Sequence, residues 1–267
     1  MHCRLAARSS FSDAARVLRA FLAAIGLLLD GGAFAADVII VADEFPAMEV
    51  LAAKLKTAEN LETTIVAQTN LPPQLSSFRA VVVYIHGNLE PRVEQALIDY
   101  TQTGGRLLVL HHSISSGKRK NAQWFKFLGV ELPEGDVSQG GYKWIESVTL
   151  DIVNLAPTHF ITTNQVRYPI RLDYASAETA AATSLPAFRL EGTEVYLNHS
   201  FTEPRTVLLG FKYTDAKSGK VYQQDRGGWL KPAGNGWIIY LMAGHSVKDF
   251  QNAAYAQIVL NAVVWKP

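Results

Sequence analysis

Cysteine is almost missing from this 267-residue chain: the one thiol, Cys3, lies in an N-terminal stretch that reads as a leader. Beyond that stretch no disulfide, thiolate metal site or cysteine nucleophile can form. Long apolar runs are also lacking, since nothing after the leader approaches 18 uninterrupted apolar residues, so no stable membrane span is expected after cleavage. There is no excess of either charge: 25 Lys and Arg stand against 24 Asp and Glu, a net charge of +1. That balance gives no electrostatic footprint for nucleic acid or an anionic membrane. No His-x-His or His-x-x-x-His spacing occurs, so the sequence offers no compact metal-ligand motif, and neither a metal nor a cofactor is expected. Internal repeats and interdomain linkers are absent as well.

What is present begins with the leader. Arg4, Arg8, Arg16 and Arg19 form a basic n-region, Ala20 to Leu29 an apolar core, and Ala33-Phe34-Ala35 a small-x-small cleavage pattern. Residues 1–35 are therefore expected to be a signal peptide. A single domain would follow over residues 36–267, in a periplasmic or secreted protein.

Strand and helix signals alternate through the first half of that domain. Asp37 to Asp43, Thr63 to Ala67, Ala80 to Ile85 and Arg106 to Leu110 are short β-branched or aliphatic runs suited to buried strands. Phe45 to Ala58 and Pro91 to Thr103 carry helical spacing between them, the second stopped by Gly104-Gly105. The alternation predicts an α/β fold with a doubly wound, mainly parallel sheet. Asn121 to Leu128 reads as a short helix. From about Pro133 to Ser200 the periodicity weakens, and long loops with short strands over one end of the sheet are expected. Thr206 to Tyr213 and Val221 to Trp229 read as added antiparallel strands, Trp237 to Met242 as a further strand, and Phe250 to Trp265 as one closing helix.

Histidine placement is the feature that carries function. The strand Arg106 to Leu110 ends in His111-His112-Ser113, and Gly236 to Ala243 ends in Gly244-His245. His86 follows the third strand, and Asp43 and Glu44 follow the first. In a parallel sheet all these positions share the carboxyl edge, where open α/β proteins bind ligands. Imidazole is also the side chain best matched to proton transfer near neutral pH. His245, His111 and His112 are thus candidate catalytic residues, with His86, Asp43 and Ser113 as candidate substrate contacts. Strand alternation lets only one of His111 and His112 face a cleft, and Asp43-Glu44 is suited equally to capping the next helix. Trp144, Tyr142 and Trp229 are aromatic surfaces on which a sugar could stack, Trp144 first among them.

Three segments resemble the ThuA-like (trehalose utilisation) family, whose fold is that of class I glutamine amidotransferases. They are Leu97-Ile98-Asp99-Tyr100 running through Gly104-Gly105 to His111, Thr193-Glu194-Val195-Tyr196, and Gly236 to His245 with Phe250-Gln251-Asn252. The resemblance implies a flavodoxin-like sheet with an elbow after Arg106–Leu110 where the amidotransferases hold a cysteine nucleophile. Here the elbow has His111, His112 and Ser113, so thioester glutaminase chemistry is not expected. It also implies that His245 takes the place of the amidotransferase triad histidine, and that Glu194 is its carboxylate partner. Two positions depart from the family pattern: Thr193 stands where Asp is usual, and Ser246 follows His245 where Asp is common.

The family's association with trehalose and related disaccharides, oxidised sugars included, implies a small-molecule carbohydrate partner. The leading reading is an exported protein acting on a disaccharide or keto-glycoside by histidine acid–base chemistry, as a hydrolase, lyase or isomerase. A non-catalytic carbohydrate-binding module and a metal-dependent hydrolase using the histidine cluster are the alternatives. Oligomeric state, a homo-oligomer included, is left open by the sequence.

Overall fold

Ten strands make one sheet in the computed structural model, which describes residues 37–179 and 183–267. The expected signal peptide over residues 1–35 lies outside the described residues. No described helix is long and apolar enough to cross a membrane.

In chain order the first elements are β1 (Val38–Ala42), α1 (Pro46–Glu59), β2 (Thr63–Val66), β3 (Ala80–Tyr84), α2 (Pro91–Gln102) and β4 (Arg106–Leu110). They are followed by α3 (Trp124–Leu128), β5 (Val130–Glu131), β6 (Lys143–Asn154), α4 (Phe160–Thr163), β7 (Ile170–Tyr174) and β8 (Thr183–Leu197). The chain closes with β9 (Ser200–Phe201), β10 (Thr206–Thr214), β11 (Val221–Ala233), β12 (Gly236–Leu241), α5 (Val247–Gln251) and α6 (Ala253–Val264). The sheet order is β2-β1-β3-β4-β12-β11-β10-β6-β8-β7, with β5 and β9 paired separately. From β2 to β12 neighbours run parallel, and from β12 to β7 they run antiparallel. This is an α/β doubly wound sheet with added antiparallel strands, consistent with a flavodoxin-like topology.

Burial explains why the first half was readable. β1 and β3 are buried at every residue and β4 at all but its first, so both faces are covered and the runs are apolar throughout. α1 starts at Pro46, which has no N–H to lose at a first turn, and buries Ala47, Met48, Leu51 and Leu55.

The region from 133 to 200 differs from expectation. It is not a set of loops over one end: β6 and β8 are long strands that extend the sheet itself. β6 alternates exposed and buried residues along much of its length, so no continuous apolar run marks it. The closing helix also differs, being two helices rather than one. Asn252 interrupts it, with its side chain accepting from the N–H groups of Ala254 and Tyr255, both at 3.1 Å. A side-chain cap of this kind starts a new helix, here α6.

The β12-to-α5 turn depends on Gly244 at φ +113°, a conformation that L side chains rarely adopt. A Cβ there would lie 2.5 Å from the Tyr255 hydroxyl and 3.1 Å from the Phe250 ring. Gly219 is also left-handed, at φ +68°, but has open space around it. Gly244→Ala should therefore lower unfolding free energy by roughly 3 kcal/mol or more, strain and overpacking together. Gly219→Ala should cost about 1 kcal/mol. Urea unfolding of the two variants checks the difference, and equal losses would mean the turn tolerates a side chain.

Candidate functional site

Register places the strand ends level. Ala42 pairs with Tyr84, and Leu110 with Leu241, so the residues after β1, β3, β4 and β12 emerge along one edge. The strand order reverses between β1 and β3, which is where doubly wound sheets open a crevice. The chain after β4 does not continue extended. His111–Ile114 is a 3-10 turn, and His111 itself has φ +47°, a left-handed elbow uncommon outside glycine. Strand alternation therefore stops at Leu110, and both His111 and His112 enter side-chain clusters.

The first cluster joins His111, Glu194 and His245. His111 is fully buried, and its Nδ1 lies 2.7 Å from the Met242 carbonyl oxygen. A carbonyl only accepts, so Nδ1 carries the proton and donates. Nε2 of the same ring then faces Glu194 Oε2 at 2.8 Å and His245 Nδ1 at 3.2 Å. Glu194 Oε2 also accepts from the Tyr196 hydroxyl at 2.9 Å and lies 3.4 Å from His245 Nδ1. Burial pushes the Glu194 carboxyl up, but hydrogen bonds from His111 and His245 outweigh it and hold the group down to about 2. The His245 imidazole is raised, chiefly by its hydrogen bond with Glu194.

Three strands lie between β12 and β8 in the sheet, yet Glu194 on β8 touches both histidine-bearing turns. Asp249 of α5 ties these parts together. Its carboxylate accepts from Thr193 Oγ1 at 2.6 Å, from the Gly244 N–H at 3.1 Å and from the His245 N–H at 2.8 Å. Tyr84 adds a bond to the Gly244 carbonyl at 2.9 Å. Thr193 thus supplies a hydroxyl donor to Asp249 where the family pattern has an acid.

The second cluster joins Asp43, His86 and His112. Asp43 does not cap α1, whose first turn has no side-chain cap. Its carboxylate instead accepts from the His86 N–H at 2.7 Å and lies 3.1 Å from His86 Nδ1. Burial raises the Asp43 carboxyl, but the His86 hydrogen bonds outweigh that and leave it lowered. The His86 and His112 rings stack at 3.4 Å between centroids and 23° between planes. His112 is 2% exposed, and neither of its ring nitrogens has a hydrogen-bond partner among the described residues. Behind it the buried Lys118 ammonium donates to the carbonyls of Ile85 at 2.6 Å, His86 at 3.2 Å and His112 at 3.2 Å. Burial pushes the Lys118 amine down to about 7.

Both clusters border one recess of about 180 Å³, lined by His86, His112, Glu194, Tyr196, His245 and Trp144, with Ser115, Ser116 and Glu146. Trp144 is 47% exposed at its margin. A larger hollow of about 500 Å³ lies at the opposite sheet edge, beside Gln102 and Gly234, and contains no histidine.

Other candidates sit elsewhere. Ser113 is fully buried and braces the backbone, donating to the Val83 carbonyl at 2.9 Å and accepting from the Ile85 N–H at 3.2 Å. Trp229 is sealed in the core against Tyr240. Tyr142 packs against Tyr196. Thr193 and Tyr196 entered the sequence reading only as neighbours of Glu194 in the family segment, and Glu146, Asp249 and Lys118 did not enter it, because the contacts of Asp249 with Thr193 and of Lys118 with Ile85 and His86 join distant segments.

A flavodoxin-like α/β sheet with a histidine–carboxylate recess at its carboxyl edge defines the class of protein. The family model described as trehalose utilisation (ThuA) matches residues 38–266, and the chain belongs to that family. No curated protein matches it by sequence. Among solved structures, a ThuA-like protein from Bacteroides uniformis is similar at a TM-score of 0.58 and 16% identity, covering 86% of this chain and 91% of that one. Cytoplasmic protein STM1381 from Salmonella typhimurium LT2 is similar at 0.56 and 16% identity, covering 85% and 97%. Cytoplasmic protein STM3548 from Salmonella typhimurium is similar at 0.54 and 12%, with the same coverage. These two cytoplasmic proteins of the same fold overturn the expectation of a periplasmic or secreted location.

The Glu194–His245 pairing has a signed pH dependence. Glu194 is held below its ordinary value of 4.5, so its contribution is present above about pH 4.5 and lost as pH falls to 2. His245 is raised above 6.5, so its contribution is present below 6.5 and lost as pH rises past the raised value. In metal-free protein, the wild type should lose up to about 3 kcal/mol between pH 4.5 and 2 that Glu194→Gln does not. Denaturant unfolding at pH 5 and 2.5 measures it, and identical acid limbs would remove Glu194 from the pairing.

Proposed function

We propose that this chain is a carbohydrate-active enzyme, a metal-dependent hydrolase whose divalent cation is held by His111, Glu194 and His245. One observation carries the reading. The Nδ1 proton of His111 goes to the Met242 carbonyl, yet its Nε2 sits 2.8 Å from the carboxylate oxygen of Glu194, a contact that needs a second ring proton or a metal ion. Two bare acceptors do not rest at that separation; a proton or a metal ion has to lie between them. The three ligand atoms are 2.8, 3.2 and 3.4 Å apart. Ligand atoms around a tetrahedral zinc with bonds of about 2.0–2.1 Å are separated by about 3.3 Å. His₂Glu is also a known catalytic donor set that leaves one position open. The Met242 carbonyl fixes the His111 tautomer from behind, as second-shell acceptors commonly do for metal-bound histidines. Tyr196 likewise holds the Glu194 carboxylate.

A divalent cation there supplies Lewis acidity toward a sugar oxygen. The remaining work falls to this chain's own groups. Glu146, on the recess wall, is placed to take or give a proton. Trp144 offers an exposed face for stacking a pyranose. A recess of about 180 Å³ is below the roughly 300–1,000 Å³ of pockets for drug-sized ligands, which favours one sugar ring inside and the rest of a disaccharide or keto-glycoside across Trp144. At the elbow, where a class I glutamine amidotransferase would hold its cysteine, His111 supplies an imidazole. The amidotransferase relationship is therefore one of fold, without glutaminase activity.

A cation-free reading has its own support: the raised His245 could carry the proton itself and act as general acid–base. Turnover of a disaccharide and keto-glycoside panel, measured before and after chelation and zinc or manganese restoration, separates the readings. The metal reading expects loss on chelation, recovery on restoration, and a fall of about 10²–10⁴-fold in kcat for His245→Ala. Turnover indifferent to chelation but abolished in His245→Ala would establish the acid–base reading instead. Sugar binding by calorimetry without any product would establish a binding module.

A further inference from the structure

We propose that His86 is the proton carrier of the recess, with Asp43 as the carboxylate that orients it. It rests on the hydrolase reading for the reaction, but not on the cation, since neither residue belongs to the His111, Glu194 and His245 set. The two come from different strand ends, Asp43 after β1 and His86 after β3, and they meet because those strands are neighbours in the sheet.

Asp43 grips His86 twice. Its Oδ2 accepts from the His86 N–H at 2.7 Å, and its Oδ1 lies 3.1 Å from His86 Nδ1. The Asp43 carboxyl is held below its ordinary value, so it is ionised at neutral pH and only accepts. Nδ1 therefore carries a proton and donates it. That fixes the orientation of the ring and leaves Nε2 as the nitrogen free to exchange protons. Glu44 Oε2 stands 3.6 Å from Nε2, outside hydrogen-bond range. An imidazole oriented from behind by a carboxylate is the working unit of acid–base pairs in many hydrolases.

The surroundings hold the ring still and leave it accessible. One face stacks on His112 at 3.4 Å, and Tyr84 meets the ring edge-on at 6.2 Å. His112 thus acts as a platform for His86 and not as a ligand-binding group. The His86 carbonyl accepts from Lys118 Nζ at 3.2 Å and from Ser115 Oγ at 3.3 Å. Even so, the His86 side chain keeps 49% of its surface exposed and lines the recess with Trp144, Glu146 and His245. Fixed orientation with open access is what a proton-transfer group requires.

In the reaction the glycosidic C–O bond breaks, and its oxygen takes the Nε2 proton as it leaves. Water then bonds through its oxygen to the sugar carbon and returns a proton to Nε2. One water is consumed, two hydroxyls form, and His86 ends as it began. Asp43 stabilises the ring while both nitrogens are protonated.

The test compares leaving groups. Trehalose and its keto derivative are paired with the 4-nitrophenyl glycosides of the same sugars, whose nitrophenolate departs without a proton. His86→Phe keeps a ring on His112 but carries no proton, and His86→Ala opens a hole that free imidazole can enter. Asp43 and His86 are exposed, and circular dichroism checks that each variant folds. The His86 variants should lose about 10²–10⁴-fold in kcat on the disaccharides and less than about tenfold on the nitrophenyl glycosides. Imidazole should restore His86→Ala but not His86→Phe, and Asp43→Asn should show the same split at smaller size. Equal losses on both kinds of substrate overturn the role of His86. So does a rise in KM with kcat unchanged, which marks a binding contact alone. The split appearing in Glu146→Gln and not in the His86 variants gives the proton to Glu146 and overturns it too. Wild-type turnover indifferent to chelation, with the His86 split intact, supports His86 and removes the metal reading. Wild-type protein that cleaves none of these probes overturns His86 together with the hydrolase reading.

Discussion

A carboxylate oxygen and an imidazole nitrogen 2.8 Å apart, both shielded from water, require positive charge between them. The constraint at His111 and Glu194 arises because the other His111 nitrogen is already committed to a backbone carbonyl. Much of the structure around the site serves that contact. The left-handed elbow at His111 turns its ring back toward Met242 and inward to β8. Asp249 clamps the start of α5 to β8 through Thr193, while the same carboxylate holds the His245 backbone. Gly244 allows the chain to turn into that clamp without a side chain striking Tyr255. The Tyr255 hydroxyl in turn bonds the Ala243 carbonyl. Burial makes the arrangement consequential, because an unpaired charge in such a place costs several kcal/mol.

The parallel half of the fold was legible because burial on both faces leaves unbroken apolar strands. Val38–Ala42 and Ala80–Tyr84 could hardly be anything else. Reading the strand ends then placed Asp43, His86, His111, His112 and His245 along one edge. β6 and β8 were illegible for the opposite reason. On β8 the core residues Phe188, Leu190 and Val195 alternate with Arg189, Glu191 and Glu194, and Gly192 breaks the run. Half-solvated strands of this kind lack the continuous signal that marks β1.

The site shows the same division at finer scale. Glu194 could be reached through family resemblance, but its bond to Tyr196 could not, since both come from the strand whose existence was obscure. Asp249 stands, in the sequence reading, just ahead of the closing helix over Phe250 to Trp265, and nothing there marks it as a site residue. Its three acceptor contacts exist only because β12, α5 and β8 converge. Sequence spacing fails as a guide for the same reason. Neither three-residue cluster is local in sequence, although His111 and His112 contribute one residue to each.

The two halves of the sheet thus bring different chemistry to the recess. The parallel half and β12 supply the imidazoles, at strand ends whose positions the doubly buried core fixes. The antiparallel half supplies Glu194 and Tyr196 from β8, and Trp144 and Glu146 from β6. Without β8, His111 and His245 would lose the one carboxylate that both of them face. β8 without the elbow would hold a buried carboxylate lacking its partners, and burial alone would push that group up rather than down. Chemistry at this edge therefore depends on both halves being in place at once. That dependence explains why the antiparallel extension, the part hardest to read from sequence, belongs to the site as much as the histidines do.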